Sequence, residues 1–260
     1  MSELNKDSLV SIIIPMYNCE PYFDETIGSV LAQTYTNWEA VCVDDCSKDG
    51  SLALARKYAE GDSRIKVYTH EVNSGAFAAR NTALAQCTGR YIAYLDSDDI
   101  WMPEKLEKQL KFMAEKNIDV CITGYQTVES DGAFRNNVKV PERTNYKQML
   151  SNTLTCTHTI LFDTKTVDPS LLVMPAIRAG QDLATWLNVL KNGHDIYGMP
   201  DIMAKYRQHS KSISSNKFKA IKRTWNVYRK IEKLSVFRSA YCFVGYAYHA
   251  VKKRLKQKEK

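Results

Sequence analysis

The chain has 260 residues, which is enough for one large α/β domain or for one domain with an appendage. Its composition, 44% hydrophobic and 25% charged, is typical of a soluble globular protein. It contains no apolar run of about 18 residues, so no transmembrane helix is expected, and residues 1–9 lack the apolar centre of a secretory signal. We therefore expect a cytoplasmic protein.

The charge is spread unevenly along the chain. The net charge is +7, yet residues 205–260 hold 17 Lys and Arg against 2 acids, a net of +15, so the rest carries −8. An acidic body with a basic end indicates a partner for that end.

The seven cysteines do not indicate a disulfide framework or a zinc site. Their number is odd, no two are spaced as C-x-x-C, and most lie in apolar runs. We interpret them as reduced, buried, small hydrophobic side chains.

The first half of the chain alternates short apolar strands with amphipathic helices. Strands are predicted over residues 10–15, 39–45, 65–69, 91–95 and 120–125. Helices are predicted from about residue 21 and over residues 51–60, 76–86 and 103–116. This order predicts an α/β fold with a mostly parallel, Rossmann-like sheet and helices on both faces. In such sheets, ligands bind at the carboxyl ends of the strands.

The pattern weakens after residue 130. Asp131-Gly132 predicts a hairpin tip, and helical spacing returns over residues 182–190. A basic helix is predicted over residues 217–234 and another helix over residues 240–255.

An acidic cluster, Asp96-Ser97-Asp98-Asp99, follows the fourth predicted strand. Three carboxylates this close repel one another unless a cation or dense hydrogen bonding offsets them. Carboxylate oxygens suit Mg²⁺ or Mn²⁺, and such a cation could bridge the cluster to a diphosphate. The alternative is a solvated acidic turn that caps the next helix.

Two further polar groups follow predicted strands. Asp44 and Asp45 can accept hydrogen bonds from a nucleotide base or ribose, or they can form an ordinary turn. The loop Asn73-Ser74-Gly75 opens a helix and can present backbone N–H groups to phosphate. Arg80, one turn into that helix, either adds positive charge to the site or is a surface arginine.

Four ordered segments carry a resemblance to a known family: VSIIIPMYN, VDDCSKDGS, NSGAFAARNTAL and YLDSDDIWMPEKL. In order and spacing they resemble the GT-A fold glycosyltransferases of family 2, specifically over about residues 9–125 and more loosely to about 215. The resemblance implies a catalytic domain over residues 1–215, with a nucleotide-binding half at about 9–125 and an acceptor half at about 126–215. Residues 216–260 would form a helical tail.

The resemblance also implies which residues form the donor site. The implied nucleotide-sugar-binding residues are Pro15, Tyr17, Asn18, Asp44, Asp45, Asn73, Gly75, Arg80, Asp96 and Ser97. Tyr17 would lie beside the base, and Asp45 would contact it. Asp96 and Asp98 match the D-x-D pair that holds Mn²⁺ or Mg²⁺, with Asp98 as the direct ligand and Asp96 nearer the ribose. Asp99 would support the metal or the sugar.

Two late residues complete the implied site. Asp182 matches the family's base, which takes the proton of the acceptor hydroxyl, although Gln181 stands where the family usually has Glu. The alternative for Asp182 is an acid favoured by the dipole at a helix start. His209 matches a histidine that can complete the metal site, or it is a surface-loop histidine.

The resemblance implies a metal-dependent, inverting glycosyltransferase that moves one sugar from a nucleotide-sugar, UDP-linked by resemblance, to an acceptor hydroxyl. The expected acceptor is a lipid-linked oligosaccharide in the synthesis of bacterial capsule, O-antigen or another surface polysaccharide. The Q-x-x-R-W signature of processive members is absent, which favours single-sugar addition. Two alternatives are a sugar nucleotidyltransferase, which should have a Gly-rich basic loop after the first strand, and a non-catalytic sugar-nucleotide-binding module.

The tail mixes basic and aromatic residues, which predicts contact with an anionic membrane surface. The protein would then be peripheral on the inner face of the cell membrane. The alternative is that the aromatic residues pack on the catalytic domain. Nucleic acid is not expected, because no nucleic-acid-binding module is recognised. The sequence gives no indication of an oligomeric state.

Overall fold

The structure is a computed structural model that describes residues 8–152, 157–208 and 217–258. The predicted alternation of strands and helices is confirmed in the first half. Its elements are β1 (Val10–Met16), α1 (Glu20–Leu31), β2 (Trp38–Asp44), α2 (Ser51–Gly61), β3 (Ile65–Thr69), α3 (Ala76–Gln86) and β4 (Tyr91–Tyr94).

The second half contains shorter strands. Its elements are β5 (Ile100–Trp101), α4 (Lys105–Lys116), β6 (Val120–Val128), β7 (Phe134–Val138), β8 (Arg143–Thr144), α5 (Tyr146–Ser151), β9 (Leu161–Asp163), α6 (Gln181–Lys191), β10 (Ile196–Arg207), α7 (Lys217–Asn226) and α8 (Val236–Lys258). A π-helical turn, Val227–Ile231, interrupts the predicted basic helix.

In the part of the chain that the structure describes, ten strands form one mixed sheet. The main order is β3-β2-β1-β4-β9-β6-β10-β5, with β7 beside β6 and β8 beside β10. The predicted parallel pairing holds for β3-β2-β1-β4 and for β6 with β10. The remaining pairs are antiparallel. The predicted hairpin tip is confirmed, because β6 and β7 pair across Asp131-Gly132.

Helices cover both faces of the sheet, as predicted. Ile12 and Ile14 of β1 pack in one apolar core with α1, α2 and α4, whereas Ile13 packs in the other with α3 and α6. Successive strand side chains point to opposite faces, so a fully buried strand serves both cores. The six described cysteines are free thiols, and four of them are buried: Cys19, Cys42, Cys121 and Cys242.

The inner side of the tail, within residues 217–258, packs on α5 and α6. The Tyr228 ring is fully buried, and its hydroxyl donates to the Leu150 carbonyl. The Glu232 carboxylate accepts from the Tyr146 hydroxyl at 2.5 Å and from Lys191 Nζ at 3.0 Å. The tail therefore completes the core around α5 and α6. Within the described residues, no helix is both long and apolar enough to cross a membrane.

Candidate active site

A cleft of about 570 Å³ opens at the carboxyl ends of β1, β2 and β4. The metal candidate Asp98 lines it together with nine of the ten predicted nucleotide-sugar residues. These nine are Pro15, Tyr17, Asn18, Asp45, Asn73, Gly75, Arg80, Asp96 and Ser97. Residues that are far apart in the chain thus meet at the edge where ligands bind in parallel sheets.

The β1 edge of the cleft is a turn joined to the loop after β2. Asn18 has a left-handed backbone (φ +48°), its N–H donates to Ser47 Oγ at 2.9 Å, and its Oδ1 accepts from the Lys48 N–H at 2.8 Å. These bonds fix the turn. Tyr17 beside it is half exposed, so its ring is available at the mouth of the cleft.

Asp45 organises the loop that opens α3. Its carboxylate accepts from the Ser74 N–H at 2.9 Å and the Gly75 N–H at 2.7 Å, and its carbonyl accepts from Asn73 Nδ2 at 3.0 Å. Gly75 has φ +90°, a conformation that strains residues with a side chain. The carboxylate therefore holds the loop Asn73-Ser74-Gly75 against the cleft.

His70 is a supporting residue that the sequence reading missed. Its Nδ1 lies 2.8 Å from Asp45 Oδ1, and its Nε2 lies 2.9 Å from Thr82 Oγ1. Since a carboxylate only accepts, Nδ1 carries the proton in this pair. A histidine directly after the third strand is the only signal that the sequence contains for this role.

Asp44 differs from the expectation for a donor-contacting residue. It is 1% exposed and is not among the residues that line the cleft. Its Oδ2 accepts from the Ser47 N–H at 3.0 Å, a local bond within the loop that follows β2. Successive side chains at the end of β2 point to opposite sides, so Asp45 lines the cleft and Asp44 does not.

Arg80 interacts with two acids of the candidate site, Asp96 and Asp182. It is 9% exposed, and its Nη2 lies 2.5 Å from Asp96 Oδ1. Burial opposes its charge, yet the Asp96 and Asp182 carboxylates raise the pKa of Arg80 above its usual value. Asp182 therefore acts on the same guanidinium from the first turn of α6, although it does not line the cleft.

The acidic loop offers two carboxylates to the cleft, those of Asp96 and Asp98. Their oxygens are the donor type that Mn²⁺ and Mg²⁺ take, so the residues present fit a hard divalent cation. Among the described residues, no group of three or more His, Cys, Asp or Glu forms a cage for a metal. His209, the other predicted ligand, lies outside the described residues.

Asp99 lies behind the cleft and is not among the residues that line it, so its support of the metal or the sugar stays a prediction. It is fully buried, its Oδ1 accepts from the Arg207 N–H at 2.9 Å, and its Oδ2 lies 3.4 Å from His158 Nδ1. Burial first, and then the Asp98 and Asp96 charges, raise the pKa of Asp99 well above its usual value. Burial also lowers the pKa of His158 to about 4.

Arg207 braces the acidic loop from β10, and the sequence reading assigned it no role. Its Nε donates to the Asp98 carbonyl at 3.1 Å, and its Nη1 donates to the Ser130 carbonyl at 2.8 Å. Its Nη2 lies 2.5 Å from Glu25 Oε2. The side chain is nearly buried, so these bonds replace its hydration and fix the loop.

Two solved structures share the fold of this chain. The chain is similar in structure to TarS residues 1–349 from S. aureus in complex with UDP-GlcNAc, with a TM-score of 0.69, 23% identity, and coverage of 93% of this chain and 71% of that one. It is also similar to the mannosyltransferase PcManGT from Pyrobaculum calidifontis in complex with GDP-Man and Mn²⁺, with a TM-score of 0.70, 19% identity, and coverage of 89% and 66%. The fold is that of the GT-A glycosyltransferases.

Sequence comparison shows the family. Residues 11–166 match the family described as Glycosyl transferase family 2. The chain is 47% identical over 252 residues to the putative teichuronic acid biosynthesis glycosyltransferase TuaG of Bacillus subtilis, covering 96% of this chain and 99% of the relative. It is 40% identical over 222 residues to the Escherichia coli UDP-Glc:alpha-D-GlcNAc-diphosphoundecaprenol beta-1,3-glucosyltransferase WfgD, covering 85% of each.

The chain therefore belongs to glycosyl transferase family 2 and is a glycosyltransferase. This membership decides against the alternatives of a nucleotidyltransferase and a non-catalytic module.

Proposed function

We propose that the protein is a metal-dependent, inverting transferase that moves one sugar from a UDP-sugar to a hydroxyl of a lipid-linked saccharide. The product would be an intermediate of a bacterial surface polysaccharide. The observation that carries the proposal is the meeting of Asp45, Arg80, Asp96 and Asp98 in one cleft. Asp182 acts electrostatically on Arg80 from α6.

The donor nucleotide would bind between the β1 turn and the loop before α3. The half-exposed Tyr17 ring would stack on the base. Asp45 Oδ2 accepts a hydrogen bond from the Gly75 N–H, and a carboxylate oxygen can accept more than one. Oδ2 would accept the N–H of a uracil ring, which cytosine lacks at the same place. The nucleotide preference would thus come from a carboxylate that the loop already holds in position.

The diphosphate would lie against Asp96, Ser97 and Asp98. Asp98 and Asp96 would hold Mn²⁺ or Mg²⁺, with His209 as a further ligand. A bound cation stabilises the charge that develops on a departing nucleoside diphosphate. Arg80 would hold the Asp96 carboxylate in one orientation, because Arg80 Nη2 lies 2.5 Å from Asp96 Oδ1.

Asp182 would act as the base. It lies in the first turn of α6. It would accept the proton of the acceptor hydroxyl while that oxygen attacks the anomeric carbon from the side opposite the leaving diphosphate. A single displacement of this kind inverts the configuration at that carbon.

The names of relatives support the substrate classes. The name of WfgD contains UDP-Glc as donor and a diphosphoundecaprenol-linked acceptor, and that of TuaG contains teichuronic acid biosynthesis. A lipid-linked acceptor would place this enzyme on the inner face of the cell membrane as a peripheral protein.

A screen of sugar nucleotides tests the donor assignment. A ligand that binds only the folded state raises the melting temperature, so the correct UDP-sugar with Mn²⁺ should stabilise the protein. EDTA should abolish the shift, and so should Asp98→Ala. Glu104→Ala, an exposed acid that is close in sequence but does not line the cleft, is the matched control and should keep the full shift. An equal shift in Asp98→Ala would contradict the metal assignment.

A further inference from the structure

The outer side of α8 carries an exposed apolar stripe. Phe237 is 90% exposed, Tyr241 is 81%, Val244 is 69% and Tyr248 is 61%. The four residues recur at intervals of four, three and four, so they lie along one side of the helix. We name them the α8 stripe. Exposed apolar side chains grouped in this way mark an interaction surface, whereas scattered ones do not.

Packing on the opposite side fixes the orientation of the α8 stripe. Ser239 and Cys242 are buried against the body. A Cβ added at Gly245 would lie 2.8 Å from Ser151 Cβ, so α8 and α5 approach closely there. Phe243 meets Trp225 of α7 edge to face, with ring centroids 6.1 Å apart. The stripe faces outward because the other side of the helix is already used.

The sequences of α7 and α8 are rich in basic residues. The sequence of α8 contains no acid and six basic residues, which are Arg238, Lys252, Lys253, Arg254, Lys256 and Lys258. The preceding helix α7 also contains no acid and adds Lys217, Lys219, Lys222 and Arg223. The charge of these two helices is therefore complementary to an anionic surface.

We propose that the α8 stripe docks the protein on an anionic lipid surface. The aromatic and valine side chains would enter the boundary between headgroups and acyl chains, while the basic residues would contact the headgroups. A second copy of the chain is disfavoured as the occupant, because two helices without acids would face each other with like charges. The biological purpose of this docking rests on the proposed lipid-linked acceptor.

Vesicle flotation of the full chain tests the docking surface. The unmodified protein should float with vesicles of phosphatidylglycerol and phosphatidylcholine, and it should not float with phosphatidylcholine alone. The triple variant Phe237→Ser, Tyr241→Ser, Val244→Ser should lose about tenfold or more of the bound fraction. Phe134→Ser, at an exposed aromatic residue that begins β7, is the matched control and should bind like the unmodified protein. Added salt should weaken binding, because it screens the headgroup attraction.

Two results would overturn the proposal. One is equal flotation of the triple variant and the unmodified protein. The other is a dimer in light scattering that becomes a monomer in the triple variant, which would assign the stripe to a second copy. If the triple variant melts early, Tyr241→Glu replaces it, since one acid at that exposed position should also reduce vesicle binding.

The test separates this proposal from the proposed function. Donor binding in solution should be the same in the triple variant and the unmodified protein, because the stripe is not part of the cleft. Loss of vesicle binding with retained donor binding would support the docking surface. Absence of UDP-sugar binding in every form would contradict the proposed function, and the flotation result would still decide the role of the stripe.

Discussion

Arg207 shows how one side chain that does not line the cleft can hold the acidic loop in place. It reaches the Asp98 carbonyl, the Ser130 carbonyl and the Glu25 carboxylate from the last residue of β10. Glu25 is 182 positions away in the chain. Mutation of a residue that holds a metal ligand in place typically lowers metal affinity about ten- to a hundredfold.

We therefore predict that Arg207→Ala weakens Mn²⁺-dependent donor binding about tenfold or more. Titration of Mn²⁺ at a fixed UDP-sugar concentration measures the effect. Arg207→Lys should restore only part of the affinity, because an ammonium cannot reproduce the fork of hydrogen bonds. Arg135→Ala, at a half-exposed arginine that pairs with Glu129, is the control. Unchanged Mn²⁺ affinity in Arg207→Ala would contradict the bracing role.

Glu39 gives a prediction about pH. Burial alone would raise the pKa of Glu39, but hydrogen bonds from Lys66, Ser11 and Thr88 lower it to about 2. A folded-state pKa below the usual carboxyl value of 4.5 means that the stabilisation is complete above about pH 4.5 and is lost as the pH falls towards about 2. Solvent at the part-exposed Lys66 screens part of this stabilisation, so the ionised Glu39 carboxylate contributes about 2 kcal/mol to the free energy of unfolding.

Glu39→Gln should therefore reduce the free energy of unfolding at neutral pH and should lose most of its effect near about pH 2. Urea denaturation at the two pH values measures the difference. Glu104→Gln, at an exposed acid paired with Lys108, should change stability little at either pH. A constant deficit of Glu39→Gln across this range would show that the effect does not come from the ionised carboxyl group.

The two neighbours Asp44 and Asp45 show what the sequence can and cannot indicate at this scale. Their position after an apolar strand places both at the correct edge of the sheet. Which one faces the cleft depends on the exact end of β2 and on the partners that each carboxylate finds, Ser47 for one and Gly75 for the other. Those partners follow from the tertiary fold, so a local pattern does not reveal them.

At the scale of elements, α7 and the π-helical turn support the start of α6. Gly180, with φ +86°, precedes α6, and a Cβ there would lie 2.9 Å from Arg223 Cγ and 3.1 Å from Val227 Cγ2. The tail thus packs directly against the turn that presents Asp182.

Gly180→Ala should therefore lower kcat more than it weakens donor binding, because it displaces the first turn of α6. Gly132→Ala is a matched control, since Gly132 has the same φ of +86° but a Cβ there meets no atom within 4 Å. Both variants should lose about 1–2 kcal/mol of stability from backbone strain. Steady-state kinetics measure the difference, and equal kcat in both variants would contradict the support of α6 by the tail.

Long, strongly patterned elements are the ones that the sequence predicts well. The bounds predicted for β3 and α3 agree with the structure, because apolar periodicity and turn residues mark both ends. β5 and β8 have two residues each, which is too short to show any period. They exist because β10 offers them backbone partners, and this pairing is non-local.

At the scale of the whole molecule, the tail is part of the fold and not a separable appendage. Tyr228 is fully buried, and its hydroxyl bonds the Leu150 carbonyl near the end of α5. Tyr228→Ala should cost about 3–5 kcal/mol in the free energy of unfolding, as for other buried aromatic residues. Tyr228→Phe should cost only about 1 kcal/mol, the value of one hydrogen bond. Thermal and urea unfolding measure both, and a small effect of Tyr228→Ala would mean that the tail is not docked.

The sequence predicted the basic, aromatic character of the tail but not its two sides. Tyr228 and Phe243 pack in the core, whereas Phe237 and Tyr241 turn outward. The composition is the same on both sides, so only the packing of α8 on α5 distinguishes them. The two interpretations of the tail are therefore compatible. Its inner side packs on the rest of the protein, and its outer side carries the proposed lipid contact.

In the proposed mechanism, the cleft binds the donor while Asp182 takes the proton of the acceptor. Donor binding and single-turnover sugar transfer by Asp182→Asn separate these two roles. Asp182→Asn should bind the UDP-sugar with Mn²⁺ like the unmodified enzyme and should lose transfer by about a hundredfold or more, since the amide cannot accept the proton. Full transfer by Asp182→Asn would show that Asp182 is not the base.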